Sequence, residues 1–210
     1  MRQNPSFVLG DPEDIKRLIR ENPWTTIVSN TSDGLVASHY PVLIDESREE
    51  LSIVTHVGRP DEQLHELGQH EILMIVQGPH GYISPGWYDA KPAVPTWNFI
   101  VVHLSGVPEI LDDQENLNVL AALVDHFEDR MPHPRRMNGT PENTEYAARI
   151  SSGTVGLRLT PTRIVAKSKM SQNRPPETVD RIITELEGDG PYASETLASE
   201  MRRVRDRMRR

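Results

Sequence analysis

Seventeen prolines punctuate this 210-residue chain, and the segments between them are patterned, not depleted of apolar residues. That pairing restricts the fold more than any other feature. Proline fixes corners and stays out of helix interiors and central strands, so the chain has to be built from short elements joined by rigid turns. The apolar residues gather in strand-length runs at 24–29, 35–44, 51–57, 71–76, 97–111 and 155–159. Asn30-Thr31-Ser32-Asp33-Gly34 reads as a hairpin turn between the first two runs. Pro41 demotes the second run to an edge or a bulged position. In the third, Leu51, Ile53, Thr55 and Val57 alternate with Ser52, Val54 and His56, as in a half-buried strand. In the fifth, Ile100, Val102 and Leu104 share one face, and His103 and Ser105 take the other. Val155, Leu157 and Leu159 are expected in the last strand of the sheet.

Helical spacing governs the rest. Asp11-Pro12-Glu13-Asp14 is a capping start followed by Ile15, Leu18 and Ile19, and Asn22-Pro23 ends that helix. A short helix is expected over 59–69 and an amphipathic one over 113–131, where Leu117, Leu120, Ala121, Val124, Phe127 and Met131 recur. Thr140-Pro141-Glu142 opens another, and 175–186 one more. The segment 194–210 is expected as a solvated helix. Six or seven short strands, with helices clustered late, point to an antiparallel β-barrel with α additions. The expected organisation is one domain over 1–187 and an Arg-rich C-terminal tail or helix over 188–210.

Composition excludes several chemistries. The absence of Cys removes disulfides, thiolate catalysis and Cys-based metal clusters. No apolar run approaches the ~20 residues of a membrane span, and the first residues lack the apolar core of a signal peptide, so a cytoplasmic protein with no membrane partner is expected. The net charge of -8 repels nucleic acid on average, although six of the last ten residues are Arg. If DNA is touched, Arg202, Arg203, Arg205 and Arg207 are the expected contacts.

Gly188, Gly190 and Ala193 mimic a dinucleotide fingerprint, but they follow a helix and include Pro191. No Walker loop and no Gly-x-Ser-x-Gly elbow is present. Eight His raise the question of a metal, yet their spacing defines no site. Three stretches remain: 77–88, 94–99 and 169–175. Each sets Trp, Tyr or Phe, or a run of amides and hydroxyls, on a segment fixed by Pro and Gly. That is what a pocket for a flat, hydrogen-bonding ligand needs.

The order Asn22-Pro23-Trp24, Ala37-Ser38-His39-Tyr40-Pro41, Gln77-Gly78-Pro79-His80-Gly81-Tyr82-Ile83-Ser84-Pro85, Val94-Pro95-Thr96-Trp97-Asn98 and Lys169-Met170-Ser171-Gln172-Asn173-Arg174 resembles the PaiB-type proteins, FMN-binding negative transcriptional regulators. The resemblance covers about 7–186. It implies a Greek-key antiparallel split barrel like that of the pyridoxamine-phosphate oxidase superfamily, a homodimer, and FMN bound at the subunit interface. Carried onto this chain, Thr55, His56, Gly58 and Arg59 would hold the phosphate. Ser38, His39 and Tyr40 would meet the ring edge. Gln77, Trp97 and Asn98 would come from the second copy, and Ser171, Gln172 and Asn173 would form the C-terminal ligand contacts. No catalytic residue is implied. Between Arg20 and Arg130 the only cations are Arg48, Arg59 and Lys91, so haem, with His39, His56, His80 or His103 as axial ligand, stays open beside FMN. A flavin- or haem-dependent oxidoreductase and a cofactor-free protein that binds a planar metabolite are the competing functions.

Overall fold

The computed structural model of the chain describes residues 1–2, 4–88 and 91–209. Helix α1 (Pro12–Glu21) begins at its capping residue: Asp11 Oδ1 accepts the Glu13 N–H at 3.0 Å, with Pro12 in the first turn and Glu13 and Asp14 behind it. Strands β1 (Trp24–Thr31) and β2 (Gly34–Pro41) pair antiparallel from Trp24↔Pro41 to Thr31↔Gly34. The Thr31 hydroxyl donates to the Gly34 carbonyl at 2.9 Å to close the turn, and Gly34 takes φ 115, a conformation open to glycine.

The remaining elements are β3 (Leu43–Ile44), β4 (Ile53–Gly58), α2 (Arg59–Leu64), β5 (Ile72–Ile83), β6 (Thr96–Gly106), β7 (Glu109–Ile110), α3 (Asp113–Glu128), α4 (Pro141–Ser151), β8 (Thr154–Leu159), β9 (Arg163–Lys169), α5 (Pro176–Glu187) and α6 (Glu195–Met208). They form a five-stranded sheet of order β2-β1-β5-β6-β9 and a four-stranded sheet of order β3-β4-β8-β7. β2, with Pro41 at its end, is an edge strand. The architecture is a split β-barrel with α additions.

Three expectations change. The strand expected over 71–76 does not stop there, since residues 77–83 are the second half of β5: Gly and Pro in this run do not stop a strand whose Ile83 is fully buried. β8 is not the last strand, because Pro161 is followed by β9, which has no long apolar run of its own. α6 is not solvated. Leu197, Met201, Val204 and Met208 recur at helical spacing beneath the arginines, and Leu197, Ala198 and Met201 are buried as α6 packs on α5.

Two compact units are distinguishable. One comprises 1–15, 77–102 and 165–210, and the other 16–76 and 103–164. The core of the second is built from Ile27, Ile53, Val57, Met74, Leu104, Leu157 and Leu159, with Val119 and Leu123 of α3 against Val54 and Leu111. The core of the first gathers Ile83, Ile100, Met170, Ile182, Leu197 and Met201. Gly81 permits this packing, since a Cβ there would stand 2.9 Å from Leu197 Cδ2.

Candidate functional site

The thirteen residues singled out from the sequence fall into two groups, one per unit. In the 16–76/103–164 unit, Tyr40 reaches from β2 to the β4–α2 junction. Its hydroxyl donates to Asp61 Oδ2 at 2.7 Å and accepts the Gly58 N–H at 3.2 Å. Burial pushes the Tyr40 phenol above its ordinary pKa, and the same phenol, donating to Asp61, helps hold that carboxyl below its usual range. His65, the C-cap of α2, lies buried with Nδ1 2.8 Å from Ser29 Oγ and Nε2 3.0 Å from Ser38 Oγ. Burial lowers its pKa, so the ring is neutral near pH 7, one nitrogen donating and the other accepting. Ser38 also helps hold the Asp61 carboxyl below its usual range. Ser29, His65 and Ser38 thus form one hydrogen-bonded run, and Asp61, Tyr40 and the Gly58 N–H form another.

Asp61 and His65 were not foreseen as site residues. Their only sequence signal is the helix start Arg59-Pro60-Asp61 opposite the alternate residues Ser38 and Tyr40 of a strand, and nothing local shows that these meet.

The other residues of this group differ in what they have left to offer. Thr55 is buried and donates its hydroxyl to the Pro41 carbonyl at 2.5 Å. His39 is exposed, stacked 6.4 Å from Trp24. The His56 ring meets Tyr40 edge-on at 6.1 Å, its Nδ1 is buried without a partner, and burial depresses its pKa. Arg59 is anchored by Nε to the Ser152 carbonyl at 2.7 Å and by its N–H to the Gly153 carbonyl at 3.0 Å. Its outer nitrogens lie 3.4 Å from Glu62 and 3.8 Å from Asp113 on a half-exposed side chain.

In the other unit, Trp97 is 55% exposed, its ring edge-on to Tyr82, which in turn tilts against Tyr192 at 4.8 Å. Lys169 Nζ donates to the Trp97 carbonyl at 2.9 Å and to the Thr96 hydroxyl. Gln77 Nε2 lies 3.1 Å from His80 Nδ1 on the exposed side of β5. Asn98 and Ser171 are buried and bond each other, amide to hydroxyl, at 3.0 and 3.1 Å. Gln172 braces its own turn: Oε1 accepts the Met170 N–H at 2.6 Å, and Nε2 donates to the Ser168 and Ser6 carbonyls. Asn173 is exposed. Among the described residues no cluster of His, Cys, Asp or Glu is arranged to hold a metal ion, and no helix is long and apolar enough to cross a membrane.

A flavin phosphate can be tested against this donor set. The Thr55 hydroxyl and the Gly58 and Arg59 N–H groups are already engaged within the fold. The outer guanidinium nitrogens of Arg59 face carboxylates at distances long enough to exchange for a phosphate oxygen. The set therefore accommodates one charge-assisted phosphate contact and, on Trp24 and His39, exposed rings for stacking.

Comparison with known proteins agrees with the fold. The profile of the family described as "Putative FMN-binding domain" matches residues 1–163. The chain is 28% identical over 186 residues to "Protease synthase and sporulation protein PAI 2" of Bacillus subtilis, covering 87% of each chain. It is also 32% identical over 130 residues to the uncharacterized protein YKL070W of Saccharomyces cerevisiae, covering 57% of this chain and 76% of that one. Among solved structures, the flavocytochrome Anf3 of Azotobacter vinelandii superposes with a TM-score of 0.58 at 15% identity, covering 80% of this chain and 72% of that one. A FAD and heme binding protein of Mycobacterium smegmatis follows at 0.56 and 18%, covering 76% and 71%. With its barrel topology and a family profile over more than three quarters of its length, the chain belongs to the PaiB-like family defined by this FMN-binding domain.

Proposed function

We propose that this protein is an FMN-binding split-barrel protein that works as a homodimer, with the isoalloxazine shared between copies. Arg59 takes the phosphate. Ser38, Tyr40 and His56 of one copy line the ring edge, and His39, on the opposite side of β2 beside Trp24, faces the association surface. The exposed Trp97 and Gln77 of the second copy, with Asn173, complete the surround. Thr55, Asn98, Ser171 and Gln172 act behind these groups, since their polar atoms are bonded inside the fold. The observation that carries the reading is an uncovered apolar sheet face: Trp24 and Val28 on β1, Leu35 and Ala37 on β2, and Leu73 and Ile75 on β5 share one side. On it Trp24 is 63% and Leu35 77% exposed. A contiguous patch of this kind marks an association surface.

Negative transcriptional regulation, the role the resemblance implies, would act through this cofactor-loaded dimer. A direct DNA contact by α6 is disfavoured, because Arg202, Arg205 and Arg207 face Glu187, Asp180 and Asp14, and Arg203 faces Glu200 at 3.7 Å.

The test combines sedimentation with flavin absorbance near ~450 nm. Trp24→Glu should yield a monomer that has lost FMN, whereas Arg59→Gln should lose FMN and stay dimeric. A Trp24→Glu monomer that keeps its flavin would sink the shared-site reading, and wild-type protein that takes up no FMN would sink the cofactor. One observation favours a haem reading: His56 Nδ1 is buried without a hydrogen-bond partner, a nitrogen an axial ligand could use. A Soret band that His56→Ala removes would establish it.

A further inference from the structure

Helices α5 and α6, with the turn after β9, line a half-open pocket of about 130 Å³. Its residues all lie beyond position 163, outside the stretch matched by the family profile. Met170, Val179, Met201, Val204 and Met208 give it an apolar lining. That volume is close to the ~150 Å³ of an apolar cavity that holds one benzene ring, so the space matches a single ring in size. Thioether side chains are polarizable, adapt their shape, and make favourable contacts at ring edges.

The polar part of the lining is cationic. Arg205 is held between Asp180 at 2.6 Å and Asp206 at 2.9 Å, and Arg209 shares Asp180 at 3.2 Å. Arg174 is different. Among the described residues it faces no carboxylate, and its guanidinium lies 4.9 Å from the centre of the Tyr88 ring. A ring-sized apolar chamber beside one planar fork of donors, unmatched among the described residues, is complementary to an aromatic body carrying one carboxylate.

The wall is also braced. Ser171 takes φ 60, a left-handed conformation that costs a non-glycine residue free energy. Its hydroxyl and the Asn98 amide hold that turn, and Asn98 Nδ2 reaches Met201 Sδ at 3.4 Å. Met170 and Gln172 flank the strained residue, so the strain sits in the cavity wall.

We propose that this cavity binds a small aryl monocarboxylate, the ring against the methionines and the carboxylate on Arg174. The site is independent of the flavin reading and would survive its failure.

The experiment titrates the full-length chain, carrying ¹³C-methyl methionine, with sodium benzoate and with neutral benzyl alcohol. Of the seven methionine methyls, those of Met170, Met201 and Met208, assigned by single Met→Leu changes, should shift. Arg174→Gln, on an exposed side chain, should weaken benzoate about tenfold and leave benzyl alcohol unchanged. Val204→Phe, which fills the chamber, should abolish both shifts. The proposal is overturned if benzoate moves other methionines or none. It is equally overturned if Arg174→Gln binds benzoate as the parent does, or if benzyl alcohol binds the parent as tightly as benzoate.

Discussion

Arg158 in one unit and the arginines of α6 in the other are both matched by carboxylates, yet the two arrangements do different work. Arg158 is only 12% exposed and sits among Asp45 at 2.9 Å, Glu109 at 3.0 Å and Glu115 at 3.3 Å, bonds that raise its pKa against the opposing effect of burial. On α6 the pairs of Arg202 with Glu187 and of Arg209 with Asp180 are solvent-exposed on both sides, whereas Arg207 reaches the buried Asp14. What separates them is water. A charge withdrawn from solvent leaves its partners stranded when it is removed, and an exposed one is replaced by solvent. Arg158→Ala should therefore cost about 3 kcal/mol, read as a shift of the denaturation midpoint at constant slope. A loss no larger than that of an α6 variant would erase the distinction.

The next contrast sets His65 against Asn98. Both are buried polar side chains that bond serine hydroxyls, one per unit. His65→Ala removes the ring partner of Ser29 and of Ser38, and Asn98→Ala frees a strained Ser171. Each should cost roughly 2 kcal/mol. Only the histidine titrates, which makes pH the sharper probe.

Burial lowers the pKa of His56, His65 and His103, all in the same unit. Below the ordinary histidine value of 6.5 the unfolded chain binds protons that the folded one refuses. Stability should thus be fully present above that value and fall as pH drops through it towards the folded pKa values. Denaturation midpoints at pH 7.5 and 5.5 should differ in the parent and in Asn98→Ala, and differ less in His65→Ala. An equal pH dependence in His65→Ala would remove His65 from the account.

These contrasts also mark how far the sequence was legible. The α1 cap, the Asn30–Gly34 hairpin, the edge position of β2 and the helix from Asp113 follow from local rules, since turn and cap chemistry is written in adjacent residues. The strand through 77–83 and the apolar stripe of α6 were not legible. The first depends on neighbouring strands that hold Gly and Pro in an extended run, and the second is hidden by a high average polarity. At the site, Ser38 and Tyr40 were named, but Asp61 and His65, which bind them, were not. Such pairings span 21 and 27 residues, and no local pattern encodes them.

The smallest expected effect tests the exposed side of the comparison. The Arg202 side chain is 43% exposed and its partner Glu187 35%, so Arg202→Ala should change stability by at most about 0.5 kcal/mol. The same substitution, combined with Arg203→Ala, decides whether the basic helix serves nucleic acid. Internal ion pairing predicts that the double variant binds duplex DNA no more weakly than the parent at low salt. Two released phosphate contacts would instead lower the slope of log affinity against log salt by roughly 2. A slope change of that size would mean that α6 exchanges its carboxylates for phosphates, and that its arginines act on a partner as well as within the fold.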